Sequence, residues 1–147
     1  MNPFSLQQPL PLRPILLAPL LLALLAGCAS DQRSRELDST LNLYRKTLRW
    51  DAARTAAQFL DPESRPTDRQ LEFQINRLEQ FKVSGYQVSG PGTFTADGQF
   101  SQAVQLYLSN RHTAVEKVVM DRQLWRWDET RERWWLTTGL PDLDQAR

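Results

Sequence analysis

The chain has 147 residues, enough for one compact domain, and carries 18 basic and 17 acidic side chains. Such an even balance provides no basic field to collect phosphates, which argues against a nucleic-acid-binding protein. The chain has one cysteine, so it cannot form an internal disulfide. With one cysteine and one histidine it also lacks a set of His and Cys metal ligands, so we expect neither a metal nor another cofactor.

The N-terminal residues have the pattern of an export leader. Residues 15–26 read ILLAPLLLALLA, follow the lone charge of Arg13, and are succeeded by small residues around Cys28. A helix of this length would rise only about 18 Å, whereas the hydrocarbon core of a bilayer is about 30 Å thick. The pattern therefore predicts a signal peptide over residues 1–27 and not a membrane span.

The residues at the end of this leader resemble the lipobox of bacterial lipoproteins; they are Leu25, Ala26, Gly27 and Cys28. In that family a diacylglyceryl group is attached to the cysteine sulfur and the chain is cut before the cysteine. The resemblance implies lipidation of Cys28, a short lipidated linker over residues 28–36, and the membrane as a partner. Ala29 stands where retained inner-membrane lipoproteins have Asp, which implies an outer-membrane protein facing the periplasm.

Three helices are expected after the linker, at the start of a domain spanning residues 37–141. An apolar stripe at helical spacing begins at Leu37 and continues through Leu41, Tyr44 and Leu48. The segment 51–60 is the second helix, with Asp51 as its N-cap. A third stripe is formed at the end of the helical region by Leu71, Ile75 and Leu78.

From Phe81 onward the pattern predicts four antiparallel strands, at residues 81–88, 99–112, 113–128 and 133–138, followed by a tail over 142–147. In the third strand Val118 and Met120 fall on one face and Trp125 on the other, which predicts a bulge near Asp121 or Arg122. Alternation in the last hairpin pairs three residues of the third strand with three of the fourth, namely Trp127 with Trp134, Arg126 with Trp135 and Trp125 with Leu136.

This order of elements predicts an α+β fold with N-terminal helices packed on a curved four-stranded antiparallel sheet. The run LNLYRKTLRWDAARTAAQFL over residues 41–60, with VSGYQV, RQLWRWD and RWWLTTGLP further on, resembles small proteobacterial lipoproteins with an NTF2-like or cystatin-like domain. That superfamily contains enzymes such as ketosteroid isomerase as well as non-catalytic binding and assembly domains. Fold resemblance alone does not choose between them.

Catalysis in such a domain requires a carboxylate and a hydrogen-bond donor facing a dry pocket under the sheet. The candidates for this pocket are Tyr44, Asp51, Tyr107 and Asp121. No spacing among them forces a catalytic arrangement, since Asp51 also serves as a helix cap and Tyr44 as a core residue. The single imidazole, His112, is expected in an exposed loop.

A contact surface is the other expectation, because hairpin pleating places Trp134 and Trp135 on opposite faces of the sheet. Trp135 beside Arg126 is the candidate exposed contact residue. The sequence therefore favours a membrane-anchored, non-catalytic periplasmic binding or assembly module with an envelope protein as partner. The alternative is a small-ligand carrier or enzyme, distinguished by an open polar cavity under the sheet.

Overall fold

The computed structural model describes the backbone of residues 17–145 and the side chains of residues 31–144. The positive charge at Arg13 and the lipobox side chains, including the Cys28 thiol, lie outside the described residues. The chain divides into two compact units, residues 1–32 and residues 33–147. Within the described residues, no helix combines the length and the apolar character needed to cross a membrane.

The first helix, α1, runs from Leu17 to Trp50. From Arg33 onward it belongs to the folded domain, and the predicted apolar stripe is confirmed: Leu37, Tyr44 and Leu48 are buried and Leu41 is half-buried. The stripe forms because these residues recur every three or four positions and so share one face of the helix.

The second helix is shorter than predicted, and the prediction that Asp51 is its N-cap is wrong. A single α-helical turn, α2, spans Ala53–Ala56, a 3₁₀ turn follows over Ala57–Phe59, and the N-cap residue is Ala52. The Asp51 N–H donates to Thr47 O at 2.9 Å, which is a helical bond. Asp51 therefore closes α1 and does not start the next helix.

The third helix, α3, spans Asp68–Leu78. Thr67 is its N-cap residue, and the Thr67 N–H donates to Gln70 Oε1 at 3.3 Å. Its three predicted apolar residues are all buried. The predicted α+β class, with helices on a curved antiparallel sheet, is confirmed.

The sheet contains five strands, which curl into a half-barrel. They are β1 (Phe81–Val88), β2 (Thr93–Phe94), β3 (Phe100–Asn110), β4 (Glu116–Asp128) and β5 (Arg133–Leu136). The order is β1-β3-β4-β5, and the short β2, which the sequence did not predict, pairs with β3. A 3₁₀ turn over Leu143–Gln145 follows, and Leu143 is buried, so the folded domain continues into the predicted tail.

The predicted bulge in β4 is absent. Pairing of β3 with β4 is regular from Phe100↔Trp125 to Ser109↔Glu116, and the irregularity of the sheet lies in β1, between Val83 and Gly85. Strict alternation therefore places the odd-numbered residues of β4 on the inner face. Polar Asp121 and Gln123 lie there with Trp125 because the strand has no extra residue to turn them outward.

The predicted register of the last hairpin is confirmed in all three pairs, Trp127↔Trp134, Arg126↔Trp135 and Trp125↔Leu136. On the inner face, the fully buried Trp125 makes edge contacts with Tyr44 of α1 and Phe59, at ring-centroid distances of 5.2 and 6.4 Å. These three rings fill the space between the helices and the centre of the sheet.

On the outer face, Arg126 joins β4 to the loop after the 3₁₀ turn. Its Nε and Nη2 atoms each donate to a carboxylate oxygen of Asp61 at 2.8 Å, and Asp61 is buried. The hydrogen bond from the guanidinium lowers the pKa of the Asp61 carboxyl. The Asp61 N–H also donates to Leu136 O, so this loop is held along β5.

We expect Arg126→Met to lower the free energy of unfolding by about 2 kcal/mol at neutral pH, because it leaves a buried carboxylate without its charged partner. Urea titrations measure the loss. Since the folded-state pKa of Asp61 is depressed, the contribution of the pair is present at neutral pH and falls as acid protonates the carboxyl.

The control for this change is Arg54→Met, which removes an exposed ion pair with Glu72 and should cost much less. Equal losses in the two variants would contradict the structural role assigned to Arg126.

Candidate functional site

A network of polar side chains lies on the inner face of the sheet, beside the aromatic core. It consists of Tyr86 from β1, Gln102 from β3, and Asp121 and Gln123 from β4. The two glutamines face each other directly because Gln102 and Gln123 are register partners in the β3–β4 pair. Gln102, Asp121 and Gln123 are buried and Tyr86 is half-buried.

Gln123 is the centre of this network. Its Nε2 donates to Asp121 Oδ2 at 2.6 Å and to Tyr86 Oη at 3.2 Å. Its Oε1 accepts from Gln102 Nε2 at 2.8 Å and from Trp125 Nε1 at 3.3 Å. All the hydrogen-bonding capacity of this amide is engaged, so its orientation is fixed and it holds its neighbours in place.

Asp121 is the only carboxylate among the described members of the network. Burial disfavours its charged form and raises its pKa to about 6, while the hydrogen bond from Gln123 acts in the opposite direction. The group therefore changes charge at mildly acidic pH, inside a part of the protein with little access to water.

Tyr44 lies close to this carboxylate from the helix side. It is fully buried, and its hydroxyl finds no hydrogen-bond partner among the described residues. Burial is the main reason that its pKa is raised, and the charge of Asp121 adds to the effect. A buried hydroxyl without a partner is unusual in a folded protein.

A surface groove opens beside the network, between α1 and the end of β1, with a volume of about 200 Å³. Its lining residues come from both elements and from β3: Asp38, Leu41, Asn42, Arg45, Tyr86, Val88 and Gln102. Tyr86 and Gln102 belong to both the groove and the network. The guanidinium of Arg45 donates to Asn42 Oδ1 at 2.9 Å on the helix side.

The four predicted pocket residues do not form one site. The structure brings Tyr44 and Asp121 together under the sheet, as required for a pocket. Asp51 lies exposed at the end of α1, and Tyr107 lies on the outer face of β3, where its hydroxyl donates to Gln87 Oε1 at 3.3 Å. Tyr107 points outward because the inner positions of β3 are even-numbered.

The prediction that Trp135 is an exposed contact residue is wrong. Its side chain is only 8% exposed, because the Arg133 guanidinium lies 3.8 Å from the ring centroid and Asp128 Oδ2 accepts the indole N–H at 3.1 Å. Arg126, the second residue of the predicted contact surface, forms an ion pair with Asp61. His112 is exposed in the β3–β4 loop, as expected.

Gln102, Gln123 and Tyr86 are the site residues that sequence reasoning missed. Counting back in steps of two from Trp125 reaches Gln123 and Asp121, and counting back from Val104 reaches Gln102, so alternation does contain the information. The predicted bulge broke that count in β4. Within the described residues no cluster of His, Cys, Asp and Glu has the geometry to hold a metal ion.

No family model, curated protein or solved structure matches this chain. The site is interpreted from its own geometry: a fixed set of amide and phenol groups at the floor of a groove, with one carboxylate beneath them. Such a set can bind a small polar group by hydrogen bonds, and its charge depends on pH.

We expect Asp121→Asn to raise the free energy of unfolding at pH 7 by roughly 2 kcal/mol, because it removes a buried charge and keeps the hydrogen bond from Gln123. Since the folded-state pKa is about 6 and the usual value is 3.8, the folded chain retains a proton that the unfolded chain releases between these values. The contribution of Asp121 to the free energy of unfolding of the wild type therefore falls as pH rises from about 4 to about 6. The difference in stability between Asp121→Asn and the wild type disappears near pH 4.

Asp128→Asn is the control of opposite sign, since hydrogen bonds from Arg131 lower the pKa of Asp128 to about 2. That variant should be less stable than the wild type at neutral pH and approach it in strong acid. Urea unfolding at a series of pH values measures both differences, and a loss of stability in Asp121→Asn at pH 7 would contradict the assignment.

Proposed function

We propose that this protein is a lipoprotein, lipidated at Cys28 and held at the outer membrane facing the periplasm, whose α+β domain binds another envelope component without catalysing a reaction. The observation that carries the binding role is the groove between α1 and β1, whose floor is formed by Tyr86 and Gln102. Both side chains are held from below by Gln123 and are reachable from the groove. A relationship to NTF2-like or cystatin-like domains is part of this proposal.

The anchor is supported by the residue pattern at the N-terminus. The sequence Leu25, Ala26, Gly27, Cys28 follows a purely apolar run, and only a cysteine provides the sulfur for a thioether. Attachment of the diacylglyceryl group through a thioether would also remove the one thiol of the chain, which would otherwise be liable to oxidation in the periplasm. Several acyl chains together give lasting attachment to a membrane, whereas one chain does not.

The groove has the size and chemistry to receive a side chain or a small head group of a partner. At about 200 Å³ it is smaller than the sites that enclose whole small molecules. Arg45 supplies a positive charge at its rim, and Leu41 and Val88 supply apolar walls. Because its polar groups are already fixed, binding costs little further ordering of the site.

A non-catalytic role is supported by how the interior is filled. Trp125, Tyr44 and Phe59 occupy the region under the sheet where an open pocket would be required. The described network presents one carboxylate, whereas two convergent carboxylates would have favoured an enzyme.

A second candidate function is a small-ligand carrier or enzyme, and one observation favours it. The unpartnered hydroxyl of Tyr44 lies near Asp121, whose pKa of about 6 suits proton transfer near neutral pH. A carrier or enzyme would require the aromatic core to open for the ligand. Finding a small ligand that shifts the pKa of Asp121 would favour this second function over binding of an envelope component in the groove.

The anchor is tested by Cys28→Ser in cells. We expect the wild type to fractionate with membranes and to carry diacylglyceryl on a mature N-terminal cysteine, and the variant to leave the membrane fraction because its hydroxyl cannot form the thioether. Mass spectrometry of the mature N-terminus is the direct measurement. A bare N-terminus, or a variant fully retained in membranes, would contradict the proposal.

The groove is tested by placing a photo-crosslinking residue at Val88, which lines it, and at Leu43, an exposed residue of α1 that does not. We expect a defined adduct with an envelope component from position 88 only. Arg45→Glu should weaken that adduct roughly tenfold by reversing the charge at the rim.

Lys46→Glu is the matched control, since it makes the same charge change on the same helix outside the groove. Equal adducts from positions 88 and 43, or equal effects of the two charge changes, would reject the groove as the binding surface.

A further inference from the structure

A second surface, the aromatic end, is formed by Phe94, Phe100, Trp127 and Trp134. The ring of Phe94 lies 5.3 Å from that of Phe100 and 6.3 Å from that of Trp134, and the two tryptophan rings are 5.5 Å apart. Phe94 is 60% exposed, and Phe100 and Trp127 are partly exposed. Trp134 is buried, so the exposed part of the aromatic end is formed by Phe94, Phe100 and Trp127 together, which is more apolar surface than a scattered single residue provides.

The aromatic end is held rigidly by the chain around it. The turn before β2 packs Gly92 so closely on Phe100 that an added Cβ would lie 2.1 Å from the ring. The Trp127 indole N–H donates to Glu129 Oε2 at 3.0 Å. A preformed surface of this kind loses little conformational freedom on binding.

Chain connectivity places the aromatic end close to the proposed anchor. The Trp134 indole N–H donates to Arg33 O at 3.1 Å, and the Arg33 guanidinium lies 5.8 Å from the centroid of Trp127. Cys28 precedes Arg33 by five residues, which span at most about 18 Å in any conformation. From Arg33 the helix continues for about 26 Å to Trp50, so Trp50 is much further from Cys28 along the chain than the aromatic end is.

We propose that the aromatic end docks on the headgroup region of the lipid bilayer and orients the domain on the membrane. This inference rests on the proposed lipidation of Cys28. The tether keeps the aromatic end at a high local concentration of lipid, so even a weak affinity for the interface is sufficient. A partly exposed Trp side chain settles at this depth with its indole N–H toward water, and exposed Phe side chains enter the boundary between headgroups and acyl chains.

Two charged side chains that contact Trp127 neutralise each other. They are Arg33 and Glu129, which form an ion pair. Docking is therefore driven by apolar contact and depends little on the proportion of anionic lipid.

Docking in this way gives the groove a defined place above the membrane. Asp38 and Arg45, which line the groove, lie about 8 and 18 Å further along the helix than Arg33. Measured along the helix from Arg33, the groove would lie about 8 to 18 Å away, which is roughly one and a half to just over three helical turns, and it would meet partners that lie close to the membrane.

The test uses the full lipidated protein in vesicles of phosphatidylethanolamine and phosphatidylglycerol, with and without bromine on the acyl chains. Bromine quenches tryptophan only at close range. We expect Trp127→Phe to reduce the amount of emission lost to bromine at least about twofold, and Trp50→Phe, which removes the 70% exposed ring at the far end of α1, to leave that amount unchanged. Equal quenching in these two variants would overturn the proposal.

A second pair of variants changes only exposed apolar residues. Phe94→Ser should also reduce the quenching at least about twofold, because it removes the most exposed ring of the aromatic end, and Leu43→Ser, at a residue 55% exposed on α1, should not. Near-ultraviolet circular dichroism checks that both variants are folded. Wild-type quenching in Phe94→Ser would overturn the proposal.

Two other outcomes are distinguishable. If a second copy covers the aromatic end, Trp127 emission will change with protein density and not with brominated lipid, which overturns docking on lipid. The mass of the N-terminus is measured on the same sample: a lipidated but unquenched protein overturns only this inference, whereas an unmodified Cys28 overturns the proposed anchor and the inference together.

Discussion

The contact of Trp125 with Tyr44 and Phe59 is the constraint on which the rest of the domain depends. It joins the middle of β4 to α1 and to the 3₁₀ turn, so the sheet must curve around these rings to keep them dry. The polar residues Gln102, Gln123 and Tyr86 lie beside these rings on the inner face, and Tyr86 and Gln102 line the groove between α1 and β1.

The central amide of the polar network, Gln123, uses all its hydrogen-bonding atoms and so holds the network in place. The buried carboxyl of Asp121 has a raised pKa, and the hydroxyl of Tyr44 beside the network has no hydrogen-bond partner among the described residues. A protein that required only stability would place apolar residues at these positions.

Helix α1 connects the two surfaces that the proposals use. Its residues from Arg33 to Leu48 cover the core, its side facing β1 forms one wall of the groove, and Arg33 contacts the aromatic end. One rigid element thus relates the proposed lipid contact to the proposed partner contact. The distance between them is set by helix geometry and does not depend on loops.

The sequence by itself determined that helices precede an antiparallel sheet, the positions of four of its five described strands, the apolar stripe of α1 and the register of the last hairpin, because these depend on local periodicity. The sequence did not decide that Asp121 and Gln123 lie on the inner face of the sheet. Alternation shows which side chains share a face, but a bulge would exchange the two faces, and the sequence does not show whether a bulge is present. Nor did it decide the burial of Trp135 or the pairing of Arg126 with Asp61, 65 residues away. Only tertiary structure brings such distant groups together, and burial is a property of everything that packs around a residue.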